Sequence, residues 1–179
     1  MTIETNVHRE SRLAKLKALQ DKGYNPYPYR FRPDAFAADL QEKYKELEPG
    51  ADTEDRVTVA GRAMAVRNNG MFIDIKDISG KIQAFCHKNH LSEEDIERLK
   101  CLDVGDMVGI SGYVRRTPRG ELSIAAEKFD IISKSLQPLP EKFHGLTDVD
   151  ARYRQRYVDF IMNEDSKEIY RKRCQITSA

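Results

Sequence analysis

Four side chains in the middle of this chain have the types needed to hold a flat, hydrogen-bonding ligand. Phe72 and Phe85 are stacking surfaces, Gln83 offers both a donor and an acceptor, and Glu121 is an acceptor. Stacking a nucleic-acid base on an aromatic ring contributes roughly 1–3 kcal/mol and is indifferent to sequence, so phenylalanines set among polar groups suit base binding. His87 follows closely, and Arg62, Arg67, Arg115, Arg116 and Arg119 supply cations nearby. Those cations can neutralise phosphates or pair with carboxylates such as Glu121 and Glu127, the commoner fate of surface arginines.

Other chemistries find less support. Cys86-His87-x-x-His90 with Cys101 has metal-ligand types. In a strand, however, Cys86 and His87 point to opposite faces, so the adjacent pair does not converge and no zinc site is expected. The chain has no Walker-type phosphate loop, no nucleophile elbow and no His-Glu-x-x-His. Cys86, Cys101 and Cys174 are few, odd in number and without paired spacing, which fits a reducing compartment. Met1–Asn6 carries no apolar signal core and no stretch approaches membrane-spanning length, so a soluble, cytoplasmic protein with no membrane partner is expected. Lys and Arg (30) nearly balance Asp and Glu (29), so composition makes no case for nucleic acid.

The elements that must position the candidates run from Val57 to Ser133. Period-2 alternation predicts strands over Val57–Arg67, Met71–Ile78, Lys81–His87, Met107–Thr117 and Glu121–Ile132. Between the third and fourth, Ser92–Leu102 reads as a helix, with Ser92 as its cap and Ile96 and Leu99 three apart. Three strands, a helix and a closing hairpin are the order of a five-stranded Greek-key barrel, the OB fold. On the second strand Met71, Ile73 and Ile75 point inward, leaving Phe72, Asp74 and Lys76 outside. On the third Ile82, Ala84 and Cys86 go in, while Lys81, Gln83, Phe85 and His87 go out. On the fifth Leu122 and Ile124 go in, while Glu121 and Ser123 go out. The outward phenylalanines are thus open to bases unless N-terminal helices cover them, and one of the two is expected to be covered.

Around the barrel the chain reads as helix over His8–Lys22, ended by Gly23, with Leu13, Leu16 and Leu19 as its apolar stripe and a solvated basic face. Pro26, Pro28 and Pro33 hold an extended connector whose Tyr24, Tyr27, Tyr29 and Phe31 are expected to pin it to the barrel. A second helix spans Ala35–Leu47, with Phe36, Leu40, Tyr44 and Leu47 on one face. Beyond Ser133 a Leu-Gln-Pro-Leu-Pro linker precedes helices over Asp148–Ile161 and Asp165–Ile176. The expected division is 1–56 as a helical extension, 57–135 as the barrel, and 136–179 as linker and start of a further domain.

Pro138-Leu-Pro-Glu-Lys-Phe-His-Gly-Leu-Thr-Asp148 and Arg152-Tyr-Arg-Gln-Arg-Tyr-Val-Asp-Phe160 closely resemble class II lysyl-tRNA synthetases of the bacterial type. The resemblance extends through Val59-Ala-Gly-Arg62, Gly80-Lys-Ile-Gln83, Leu102-Asp-Val-Gly-Asp106 and Gly120-Glu-Leu-Ser123. It implies a barrel that recognises the U-rich anticodon of lysine tRNA. Phe72 matches the family's base-stacking phenylalanine, Gln83 and Glu121 its base-reading polar positions, and Arg67 an arginine beside them. It further implies a homodimeric enzyme that activates lysine with ATP and magnesium. The family's ATP-binding motifs are not among these 179 residues, so this chain alone is expected to be a truncated, inactive piece without cofactors of its own. Two other readings of the barrel stand beside this one: sequence-indifferent single-strand binding, and docking of a protein partner on Phe72 and Phe85.

Overall fold

A computed structural model describes residues 3–140 and 148–179, in two compact units, Met1–Pro138 and Leu139–Ala179. The middle of the 138–148 motif, residues 141–147, lies outside the described residues. Among the described residues no helix is long and apolar enough to cross a membrane.

The first unit is built on a closed five-stranded barrel: β1 (Asp52–Arg67), β2 (Phe72–Lys76), β3 (Lys81–Phe85), β4 (Met107–Arg116) and β5 (Leu122–Ser133). Around the ring the order is β1-β2-β3-β5-β4, every pair antiparallel except β3 with β5. Alternation fills the interior as expected. Ile73, Ile75, Ile82, Ala84, Val108, Ile110, Leu122, Ile124, Phe129 and Ile131 are all buried. The first strand starts earlier than Val57, because Asp52 pairs beside Arg115 across a bulge and Arg56 pairs with Tyr113. Gly112 is obligatory in this ring, since a Cβ there would stand 2.0 Å from the Ala125 carbonyl oxygen.

Three helices pack around the barrel. α1 (Ile3–Asp21) ends where Gly23 takes a positive φ of 75° and Tyr24 N–H returns to the Leu19 carbonyl, 3.0 Å away. Its buried face differs from the expected leucine stripe. Leu19 is buried but Leu13 is exposed, and Arg12 is buried in its place. Nor is its basic face simply solvated. Arg12 donates to the carbonyls of Ser135 (2.8 Å) and Val104 (2.9 Å), Lys15 to Asp103 (2.6 Å), and Lys22 to Glu97 (2.6 Å). Beneath Arg12 and Lys15, fully buried Lys134 joins Asp106 (2.7 Å) to Asp103, and Asp106 also accepts from the backbone of Asp103 and Ser135.

The connector is pinned by Tyr24 to the Ile131 carbonyl (2.9 Å), by Tyr27 to that of Lys134 (3.0 Å), and by the Phe31 ring on Gly109. Tyr29 is fully exposed and pins nothing. α2 is shorter than expected, Ala37–Lys43, so Phe36 precedes it and lies exposed while Leu40 and Tyr44 are buried. Its start is held by the β2–β3 turn, where Asp77 accepts from Ala37 N–H (2.7 Å) and Ser79 from Ala38 N–H (3.0 Å). Burial pushes the Asp77 carboxyl up, but bonds from Ala37, Ser79 and Gly80 outweigh it and leave it below the usual range. α3 (Glu93–Lys100) is capped by Ser92, which accepts from Asp95 N–H at 3.1 Å, and it buries Leu99.

The second unit holds α4 (Val149–Arg154), α5 (Arg156–Met162) and α6 (Glu164–Thr177). The expected single helix over Asp148–Ile161 breaks at Gln155, whose ψ is 54°. The break lets Arg152 (2.9 Å), Arg156 (2.8 Å) and Asn163 (2.6 Å) converge on the buried carboxylate of Asp159. Burial alone would raise Asp159, but these donors and Ser166 hold it down at about 2.

Candidate nucleic-acid interface

The β2–β3 hairpin sets the face. Its four-residue turn puts Phe72 opposite Phe85, Asp74 opposite Gln83 and Lys76 opposite Lys81, so all six side chains share the outer side. β3 then runs parallel to β5 with Gln83 beside Ser123, and β4 pairs Arg115 with Ser123. Arg67, at the end of β1, stands opposite Phe72. These registers enclose a cleft of about 880 Å3.

Phe72, Gln83, Glu121 and Arg67 all line this cleft, as do Phe85, Arg115 and Arg119. Both phenylalanines are half-buried, with ring centroids 5.2 Å apart and planes tilted by 40°. The expectation that helices cover one of them is not met, because α1 docks on the end of the barrel near Leu102 and Val104, and α2 against the turn at Asp77. Arg115 lies 5.3 Å from the Phe85 ring centre, a cation–π distance, and pairs with Asp52 at 3.1 Å rather than with Glu121 or Glu127. Glu127 is taken by Arg56.

Each polar candidate has a defined state. Arg67 donates from both terminal nitrogens to Asp74, at 3.1 and 2.5 Å, a planar two-point pair. Gln83 accepts from the Ser123 hydroxyl at 2.9 Å. Glu121 is exposed at the edge of a hairpin fixed by Thr117, which donates its N–H to the Glu121 carbonyl (2.9 Å) and accepts Glu121 N–H on Oγ1 (3.0 Å). Arg119 is exposed at the tip of that hairpin.

Three of the candidates lie off the cleft. Arg62 is half-buried and donates to the Gly105 carbonyl at 2.6 Å. Arg116 donates to the carbonyls of Gly120 (2.7 Å) and Tyr44 (2.6 Å), tying the hairpin to the end of α2. His87 stacks on the outer edge of the phenylalanine pair, 5.7 Å from Phe85. Conversely, Lys81 and Asn68 line the cleft without having been singled out. Lys81 was legible as an outward residue of β3. Asn68 was signalled only by the Asn-Asn-Gly run, whose residues all take positive φ (50°, 54° and 91°) and turn the chain back toward Phe72. Ser123, expected outside, is on the outer face but fully buried.

The metal-type residues do not assemble. Cys86 is buried, and burial with Asp95 nearby pushes its thiol up to about 12. Among the described residues no group of three or more His, Cys, Asp and Glu is placed to hold a metal ion.

Residues 57–132 match the tRNA anticodon family described as an OB-fold nucleic acid binding domain. Barrel, cleft and match together define the class: this is an OB-fold domain of the nucleic-acid-binding kind. The chain is 48% identical over 170 residues to a lysine–tRNA ligase of Sinorhizobium medicae, covering 95% of this chain and 34% of that protein. It is 49% identical over 169 residues to the lysine–tRNA ligase of Rhizobium etli, covering 94% and 34%. The chloroplastic/mitochondrial lysine–tRNA ligase of Arabidopsis thaliana is 46% identical over 176 residues, 95% of this chain and 29% of that one. The chain therefore corresponds, over nearly its whole length, to the N-terminal anticodon-binding region of lysyl-tRNA synthetases. It spans about a third of the length of the curated relatives it matches.

Proposed function

We propose that the barrel reads the U-rich anticodon of lysine tRNA in the cleft of β2, β3 and the β4–β5 hairpin. The observation that carries this reading is the juxtaposition of two half-buried phenylalanines with Gln83 and Glu121 on one open face. A base stacks on Phe72, with Phe85 as its lateral wall. The Gln83 amide and the Glu121 carboxylate bond base edges, which unpaired anticodon bases expose. Arg67 borders the stack, and Arg115 and Arg119 lie where a sugar–phosphate backbone would pass. His87 extends the aromatic edge outward. Arg62 and Arg116, held by backbone carbonyls, support the scaffold instead of the RNA.

For the whole protein we propose the activity its relatives are named for, joining lysine to its tRNA, in the cytoplasm and as a homodimer. ATP with magnesium would supply the activation of the lysine carboxyl group. No described residue is assigned to either.

The test is binding of this chain, at one fixed moderate salt, to lysine tRNA and to the same tRNA with its middle anticodon base changed. A clear preference for the native anticodon is expected. Phe72→Ala should remove affinity by roughly 1–3 kcal/mol, the value of one stacked base. Equal binding of the two tRNAs would return the barrel to sequence-indifferent single-strand binding, and absence of RNA binding would favour a protein partner.

A further inference from the structure

The cleft contains a polarity choice that the Gln83 side chain cannot make alone. A primary amide has a carbonyl on one side and an NH2 group on the other, and rotating it by half a turn exchanges an acceptor for a donor at almost no steric cost. Whichever end faces the ligand decides whether the site accepts a base carbonyl or a base amine. Gln83 is half-buried on β3, directly beside Ser123 in the parallel β3–β5 register. Ser123 itself is fully buried. Its hydroxyl has one proton and two acceptors within reach, the Gln83 amide oxygen at 2.9 Å and the Glu121 carbonyl at 3.4 Å. The second is longer, and that carbonyl already accepts the N–H of Thr117 at 2.9 Å. The proton therefore goes to Gln83 and fixes its oxygen inward.

The competing pull on the amide is also removed. Asp74 stands opposite Gln83 across β2 and β3, and a free carboxylate there would draw the NH2 group sideways. Both Asp74 oxygens are instead engaged by the two terminal nitrogens of Arg67. Among the described residues the Gln83 Nε2 has no hydrogen-bond partner, and it lies in the wall of the cleft.

We infer that Ser123 is a positioning residue that locks Gln83 with its NH2 group toward the cleft, so that the site selects a base presenting a carbonyl, uracil, over one presenting an amine, cytosine. Uracil carries an acceptor oxygen at the position where cytosine carries its amino group. An amide locked as a donor bonds the first and meets the second donor to donor, leaving both groups without an acceptor between them. The inference rests on the anticodon reading above and adds to it the atom that makes the distinction and the residue that holds it.

The experiment uses the 179-residue chain and lysine tRNA transcripts carrying uracil or cytosine at each anticodon position in turn, at one fixed salt. The wild-type chain should prefer uracil by about tenfold at one position, the discrimination of a single well-made base contact. Gln83→Glu replaces the presented NH2 group by an acceptor, with Ser123 still bonded to the other oxygen. That variant should reverse the preference at the same position to cytosine. Its added charge weakens both RNAs alike and cancels in the ratio. Ser123→Ala should collapse the ratio toward one while a stacked base is still bound. Rescue comes from Ser123→Thr, which keeps the hydroxyl. If Gln83→Glu keeps the uracil preference, the amide oxygen faces the base and the inference is overturned. If Ser123→Ala folds and leaves the ratio untouched, Ser123 does not set it. In either case a loss of affinity in Phe72→Ala would show that the anticodon reading itself survives. Equal binding of all transcripts by the wild-type chain, with Phe72→Ala silent, would remove both.

Discussion

The end of the barrel where α1 docks and the cleft between β2 and the β4–β5 hairpin are both rich in charge, yet they use it in opposite ways. At the docking end Arg12, Lys15, Asp103, Asp106 and Lys134 are all engaged with one another or with backbone carbonyls, and Asp106 and Lys134 are buried completely. Along the cleft the groups are half-exposed, and Glu121 and Arg119 stand at the open edge. A helix whose Arg12 and Lys15 could have faced a ligand is thus a structural clamp, and the residues available to a ligand are a few cations that no composition count would isolate. What separates them is satisfaction: a desolvated charge must find its partner within the protein, whereas a charge at a rim can keep water until a ligand replaces it.

The comparison can be broken most severely at Lys134. Lys134→Ala leaves Asp106 and Asp103 without their shared cation, and removing one partner of a buried pair costs about 3–5 kcal/mol. Chemical denaturation should show a loss of this size, and a loss below about 1 kcal/mol would mean that the docking end is far wetter than described. Arg12→Ala removes charge-assisted bonds to the Ser135 and Val104 carbonyls, each worth about 1.5–3 kcal/mol. It should lower stability while leaving the salt dependence of tRNA binding unchanged. A flatter salt dependence in that variant would instead put α1 on the RNA.

Acid should act at the same end. Burial favours the neutral form of Asp103, but hydrogen bonds from Lys134 and Lys15 prevail and hold its carboxyl below the ordinary value. A carboxylate depressed by folding contributes stability that is complete above its unfolded pKa, about 4, and is lost as pH falls below that toward the folded value. Thermal midpoints should therefore drop below about pH 4, and Asp103→Asn should show a shallower drop. The smallest effect belongs to the cleft rim. Arg119→Ala should change stability by less than about 0.5 kcal/mol. It should reduce the slope of log affinity against log salt by about 1, the signature of one lost phosphate contact. An unchanged slope would take Arg119 off the RNA path.

Much of the binding face was legible because strand alternation is a local rule. Once Ile73 and Ile75 are inside, Phe72 and Asp74 must be outside, and the same argument on β3 brings Gln83 and Phe85 to that face. The glycine stop of α1 and the Ser92 cap of α3 were legible for the same reason, since each depends on a few neighbouring backbone groups. Burial across elements was not. Ser123 obeys the alternation yet is buried, at a position where Gln83 on β3 and Arg115 on β4 stand beside it. Leu13 and Arg12 exchange their expected roles, since a buried arginine is tolerable only where carbonyls from residues 104 and 135 converge on it.

By itself the sequence determined the five strands, their inward and outward sets and the stacking pair, because period-2 alternation follows from backbone geometry that each residue carries with it. Tertiary structure alone decided which arginines remain at the cleft, which side of Gln83 is held, and that both phenylalanines stay open. These depend on parallel registry between β3 and β5 and on where α1 and α2 come to rest, and such contacts join residues from about 40 to more than 120 positions apart. No local pattern encodes them; they follow from the requirement that every buried polar group be matched when the barrel closes.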